Sequence, residues 1–183
     1  MNLTKEEKKY LLALARRIIV LKSEGKKYKK EEYFTTSLKQ QTGVFVTLNK
    51  SHQLRGCIGY VEGLKPLQNA VEEMSISAAF EDPRFPPIER DEVKDIEIEI
   101  SVLSPLETIS DTSQIEIGRH GIIIEKGLMR GLLLPQVATD YNWDVQTFLE
   151  QTCQKAGLSA DAWKEESTEI QIFSAEIFSE SDF

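Results

Sequence analysis

Residues 43–60 read GVFVTLNKSHQLRGCIGY, and the way this stretch folds decides the rest. The apolar runs GVFVTL (43–48) and LRGCIGY (54–60) flank NKSHQ, a turn composition, so the stretch reads as a β-hairpin. Side chains alternate across a strand. That groups Leu54, Gly56, Ile58 and Tyr60 on one face, and Arg55, Cys57 and Gly59 on the other. Arg55 and Cys57 then lie about 7 Å apart along the strand. A guanidinium beside a thiol favours the thiolate, the nucleophilic and metal-binding form. Glycine inside a strand weakens it and marks close approach of a ligand or of another backbone. Two readings of Cys57 stand: a reactive thiol near a cation, or a small buried residue in a thin strand, since free cysteine packs as a compact hydrophobe.

Upstream of the hairpin the period is helical. Thr4 and Glu7 make a T-x-x-E capping box, and Leu11, Leu14 or Ala15, and Ile18 recur at helical spacing. The helix fades near Gly25, where LKSEGKKYKK (21–30) supplies Lys22, Lys26, Lys27, Lys29 and Lys30. Glu31 and Glu32 follow at once, as in a solvated connection, and a short helical segment is expected within 34–39. Downstream, Pro66 opens a helix with Leu67, Val71, Met74 and Ala78 along one face. DPRFPPI (82–88) breaks it, because proline biases its predecessor towards extended geometry. In VKDIEIEISVLS (93–104), Ile96, Ile98, Ile100 and Val102 alternate with acids, predicting a strand with one wet face.

The second half repeats this order. GIIIEKGLMRGLLLPQVA (121–138) can be laid on the first hairpin, matching Arg55 to Arg130 and Cys57 to Leu132. A helix follows in WDVQTFLEQTCQKAG (143–157), closed by Gly157, and then a strand in EIQIFSAEIF (169–178). The predicted fold class is α+β: two β-β-α-β units forming two unequal subdomains around a mainly antiparallel sheet. An internal duplication accounts for the order, and so do two unrelated hairpins in one α+β domain. The expected boundaries are a single domain over 1–183, with the helix and Lys-rich connection at 1–42, the first unit at 43–110 and the second at 111–183.

With 183 residues, 40% hydrophobic and 28% charged, the chain can bury a sizeable core. A net charge of −8 argues against general affinity for nucleic acid or an anionic membrane. No apolar run approaches the roughly 20 residues that span a bilayer, and the charged, amphipathic N-terminus does not read as a signal peptide. Cys57 and Cys153 show no paired spacing, so no metal site is expected. A cytoplasmic location with both thiols free is the simplest compartment.

Three clusters carry candidate chemistry. The first is Arg55, Gly56, Cys57 and Gly59. The second is Arg119 and His120, bracketed by Gly118 and Gly121; His120 is placed for acid–base work or is a hydrogen-bonded turn residue. The other histidine, His52, falls in the hairpin turn and is expected in solvent. The third is EDPRFPP, where Arg84 adds a cation that Glu81 or Asp82 orients, or pairs with in a simple helix-ending turn. Cysteine plus histidine suggests a Cys–His nucleophile, provided the two are close in space.

In this order, FVTL…LRGCIGY, EDPRFPPI, ISVLSP, GRHGI, RGLLLPQVA, NWD…FL…TC, KAGL and W…FSAEIF resemble the AMMECR-one domain family, from about Phe45 to Phe178. Arg55, Gly56, Cys57, Ile58 and Gly59 match the family signature without departure. The resemblance implies an α+β fold of two unequal subdomains in a cytoplasmic protein. It implies no particular activity or cofactor. It also implies the company of Memo-like proteins, which resemble metal-dependent dioxygenases, and of radical S-adenosylmethionine (radical SAM) proteins, hence a shared modification pathway.

The expected function is therefore a ligand-binding or catalytic groove for a small anionic ligand. Arg55, Gly56, Gly59, Asp82, Arg84 and Arg119 bind, since arginines hold anions through forked hydrogen bonds. If there is catalysis, Cys57 is the nucleophile and His120 its acid–base partner. The alternatives are a non-catalytic adaptor or protein-binding module, and an RNA-binding accessory protein using the basic run at 22–30.

Overall fold

The hairpin forms, with one residue more than strict alternation allows. In the computed structural model, which describes residues 2–183, β1 (Val44–Lys50) and β2 (Gln53–Tyr60) pair antiparallel. Ser51 and His52 turn the chain with φ of 50° and 62°, the left-handed pair that a two-residue hairpin requires. Lys50 faces Gln53 and Asn49 faces Leu54, but Leu48 faces Gly56. Arg55 is thus an inserted residue, a β-bulge. The bulge corrects the expected faces: Leu54, paired with Asn49, shares the Thr47 and Cys57 face, rather than that of Gly56, Ile58 and Tyr60.

The chain divides into two compact units, residues up to Leu103 with Glu176–Phe183, and Ser104–Ala175. The first unit thus includes the N-terminal helix and the C-terminus. In it β1 lies between β2 and β3 (Ile96–Leu103), both antiparallel to it. Val44, Val46 and Leu48 of β1 and Ile98, Ile100 and Val102 of β3 form a buried face. Against it pack α1 (Lys5–Ser23) and α2 (Leu67–Phe80), whose apolar stripes include Leu11, Ala15, Ile19, Leu67, Val71 and Met74. The other face of β3 is not uniformly wet as the alternation predicts. Glu97 and Glu99 are half-buried and Ser101 is fully buried.

Local signals explain the boundaries. The Thr4–Glu7 capping box is formed. Glu7 also accepts from the Thr35 and Ser37 hydroxyls, which fastens a short 3-10 turn (Ser37–Lys39) to α1. Burial opposes ionisation of Glu7, but the Ser37, Thr35 and Thr4 hydrogen bonds outweigh it and lower its pKa to about 2. Arg16 donates to the carbonyls of Val93 (2.5 Å) and Ile96 (2.7 Å) and pairs with Glu180, which accepts from the Ile98 amide. One charged pair thereby joins α1, β3 and the C-terminal segment.

The second unit contains β4 (Glu107–Ile109), β5 (His120–Lys126), β6 (Met129–Leu133), α3 (Pro135–Asp140), α4 (Val145–Lys155) and most of β7 (Glu169–Ser179). β5 pairs with both β6 and β7, and β4 with β7, all antiparallel. The short β4 and α3 lack a legible period. The core comprises Ile122, Ile124, Phe148, Leu149 and Cys153, with Ile170 and Ile172.

Gly56 and Gly131 do the same work in the two units. A Cβ on Gly56 would lie 2.2 Å from the Ala78 carbonyl oxygen, and one on Gly131 would lie 2.6 Å from that of Thr152. At each point a helix backbone rests directly on a strand. Gly56→Ala is expected to cost about 3 kcal/mol of unfolding free energy, because backbone rather than a movable side chain must give way. Gly25→Ala, strained only by its φ of 70° with open space around it, should cost about 1 kcal/mol. Denaturant unfolding of both variants checks the ranking.

Candidate functional site

β2 is an edge strand, and the backbone groups of Cys57 are satisfied by the loop that follows α2 rather than by another strand. The Cys57 amide donates to Asp82 Oδ2 (2.9 Å), and Arg84 Nη2 donates to the Cys57 carbonyl (3.0 Å). The two side chains are themselves joined: Arg84 Nε donates to Asp82 Oδ1 (3.0 Å) and Nη2 to Oδ2 (2.7 Å). The amide of Arg84 also donates to Oδ1 (3.1 Å). An Asp–Arg pair thus completes the edge where a neighbouring strand would otherwise bond. DPRF sits there because proline ends α2 and the turn from the Asp82 carbonyl to the Phe85 amide folds Arg84 back.

Asp82 is only 4% exposed. The Arg84 guanidinium, helped by the Cys57 and Arg84 amides and opposed by burial, lowers its pKa to about 2. Arg84 keeps 53% of its side chain exposed. Its ring neighbour is Phe85, whose centroid lies 5.4 Å from the Arg84 guanidinium carbon and 5.9 Å from that of Arg55. Phe85 therefore props both cations.

Arg55 is tied to the 86–92 segment. Its Nε and Nη2 grip Glu92 at 2.8 and 2.9 Å, and Nη2 also donates to the Pro86 carbonyl. Its Nη1 is buried without a partner among the described residues. Glu92 also takes Lys50, and the Arg55 bonds chiefly, against the cost of burial, lower its pKa to about 2. The bulge thus aims Arg55 at the 86–92 segment. The cation that acts on the thiol is that of Arg84.

Cys57 is half-buried. The register sets it across from Thr47, itself across from Glu99, and the Thr47 hydroxyl donates to Sγ at 3.3 Å. Burial raises the thiol pKa; Thr47 and Arg84 pull it down while Asp82 and Glu99 add to the rise, and the net direction is up. At neutral pH the group is a thiol, not a thiolate. One row further lie Gly59, Phe45 and Ser101, and the buried Ser101 hydroxyl has no partner among the described residues. Gly59 accommodates the Phe45 ring, and Gly56 accommodates the backbone of α2.

Arg55, Gly56, Cys57, Gly59, Asp82 and Arg84 therefore come together in the first unit. Arg119 and His120 belong to the second. There Arg119 pairs with Glu116 at 3.0 Å, and His120 Nδ1 accepts from the Glu116 amide at 3.1 Å. Accepting at Nδ1 leaves the neutral ring's proton on Nε2. Gly118 supplies a φ of 84° in this turn, and Gly121 lies under the Phe173 ring. His52 is exposed, as expected. Sequence reasoning missed Thr47, Phe85, Glu92 and Ser101. Of these, only Thr47 carried a signal, its place in the hairpin, and the bulge had to be known to use it. Among the described residues no group of three or more His, Cys, Asp or Glu side chains could hold a metal ion, and no helix is long and apolar enough to cross a membrane.

Two outcomes follow from this electrostatics. The folded pKa values of Asp82 and Glu92 are depressed, so their stabilisation is present above the ordinary 3.8 and 4.5 and is lost as pH falls through about 2. Asp82→Asn and Glu92→Gln should each lower neutral-pH stability by roughly 2 kcal/mol or less and flatten the decline in acid, in denaturant titrations across that window. The pH midpoint of Cys57 alkylation should lie above that of free cysteine. Arg84→Ala should raise it further, and Arg55→Ala should leave it nearly in place.

The AMMECR1 family model matches residues 12–178. A protein of Methanothermobacter thermautotrophicus is 44% identical over 185 residues, covering 97% of this chain and 96% of its own. One from Aquifex aeolicus is 44% identical over 166 residues, covering 87% and 85%. The crystal structure of uncharacterized protein PH0010 from Pyrococcus horikoshii superposes with a TM-score of 0.92 at 41% identity, over 97% of this chain and 93% of that one. With the signature strand and its Asp–Arg clamp inside the matched span, the chain belongs to the AMMECR1 family.

Proposed function

We propose that Cys57, Asp82 and Arg84 form the recognition end of a binding site for a small anionic ligand, and that the protein binds rather than performs thiolate chemistry. The observation that carries this reading is the state of Arg84. Asp82 and the Cys57 carbonyl hold its Nε and Nη2, while the side chain keeps more than half its surface open. A guanidinium fixed on one edge and open on the other is pre-organised for a carboxylate or phosphate, with little side-chain entropy left to lose. The neutral Cys57 thiol beside it is a weak donor to the same ligand. Its raised pKa supports binding over nucleophilic attack. The company of Memo-like and radical SAM proteins implied by the family resemblance would make such a ligand an intermediate of a modification pathway.

Small molecules released by denaturing the purified protein should include an anionic species that is depleted in Arg84→Ala, as read by mass spectrometry. The same set of molecules from both proteins would remove the anion site and favour an adaptor. In this reading Cys57 needs no imidazole, so His120→Ala should leave the alkylation rate of Cys57 unchanged. A fall of about tenfold or more would instead establish a Cys–His nucleophile.

A further inference from the structure

A hollow of about 400 Å³ opens in the first unit and shares no residue with the Cys57 cluster. Its floor is one stripe of α2: Asn69, Glu72, Glu73 and Ile76 stand at positions i, i+3, i+4 and i+7. Its walls are Tyr28 and Lys30 from the Lys-rich connection, and Lys65 from the segment before the helix. The size lies within the range of pockets that hold small organic ligands, roughly 300–1,000 Å³.

The polar groups fall into two sets. Glu73 is spent, taking Lys65 on one oxygen and the Tyr60 hydroxyl on the other. Glu72, only 9% exposed, has no cation in contact among the described residues. It accepts from the Tyr28 hydroxyl at 3.0 Å and takes a hydrogen bond from Gln68, while Lys30 acts on it only through space. Burial raises its pKa, and those hydrogen bonds offset only part of the rise. One turn before it, the Asn69 Oδ1 is sealed from solvent and has no hydrogen-bond partner among the described residues, so it does not face the hollow. The hollow is therefore short of a donor that bears positive charge. At its rim Lys30 is exposed and has no ion pair among the described residues. An anionic group entering the hollow would meet it there.

We propose that this hollow binds a small zwitterion, a free α-amino acid with an apolar side chain. Its ammonium donates to Glu72, its carboxylate meets Lys30, and its side chain lies on Ile76 and the Tyr28 ring. A simple anion would face Glu72 and a simple cation would face Lys30. Only a ligand carrying both charges satisfies both. Because Tyr28 and Lys30 belong to the connection between α1 and β1, an occupied hollow also fastens that connection to α2.

Isothermal titration with L-leucine and L-methionine tests the proposal. Saturable binding is expected. Loss of about tenfold or more in affinity should follow for N-acetylleucine, which lacks the ammonium, and for leucinamide, which lacks the carboxylate. Glu72→Gln and Lys30→Ala should each weaken leucine binding by a similar factor. Lys30→Ala removes only an exposed side chain, so its fold is kept even where Glu72→Gln unfolds the Tyr28 contact. Absence of saturable binding to either amino acid, or an unchanged affinity in Lys30→Ala, overturns the proposal. Neither result bears on the Arg84 site.

Discussion

In each unit a helix carbonyl rests on a strand glycine. At Gly56 the partner is Ala78, near the end of α2, and at Gly131 it is Thr152, in α4. No side chain separates the two backbones, so the helix sits lower on the sheet than ridge-and-groove packing of larger residues would allow. In the first unit, the consequence reaches the site. Ala78 is only four residues before Asp82, so the height of α2 over β2 sets where its following loop meets the strand. Only a helix seated on Gly56 delivers the Asp82 carboxylate to the Cys57 amide.

That delivery solves a second problem. An edge strand exposes unpaired amides and carbonyls, and proteins cover such edges to prevent uncontrolled pairing. Here the cover is a charged pair, not a strand. Asp82 accepts one backbone bond, Arg84 donates the other, and each satisfies its partner. A nearly buried carboxylate is costly unless it is paired and fully hydrogen-bonded. Asp82 meets that condition with two amides and a guanidinium. The same arrangement fixes a cation beside a half-buried thiol. Opposed effects then meet on Cys57, and burial prevails over Arg84, which keeps sulfur in its protonated form.

Much of the fold was legible in the sequence. The capping box of Thr4 and Glu7, the helical stripes of α1 and α2, and the hairpin around a polar turn all rest on local rules that tertiary packing left intact. The short β4 and α3 were not legible, because three and six residues carry too few turns or alternations to show a period. The buried Ser101 on the supposedly wet face of β3 was hidden for another reason: alternation reports polarity, not what covers a residue.

For the site, the sequence by itself determined the ingredients: an arginine-glycine-cysteine step in a strand, and an aspartate and arginine in a proline-bounded loop. Only the tertiary structure decided their partners. In a two-residue hairpin without an insertion, Lys50 opposite Gln53 would set Cys57 across from Val46, on the core face. The bulge at Arg55 moves the register by one, so Cys57 lies across from Thr47 on the opposite face. Because side chains alternate with a period of two, a single extra residue exchanges the faces. That exchange sends Arg55 to Glu92, leaves Arg84 as the cation on the thiol, and takes Cys57 out of the core.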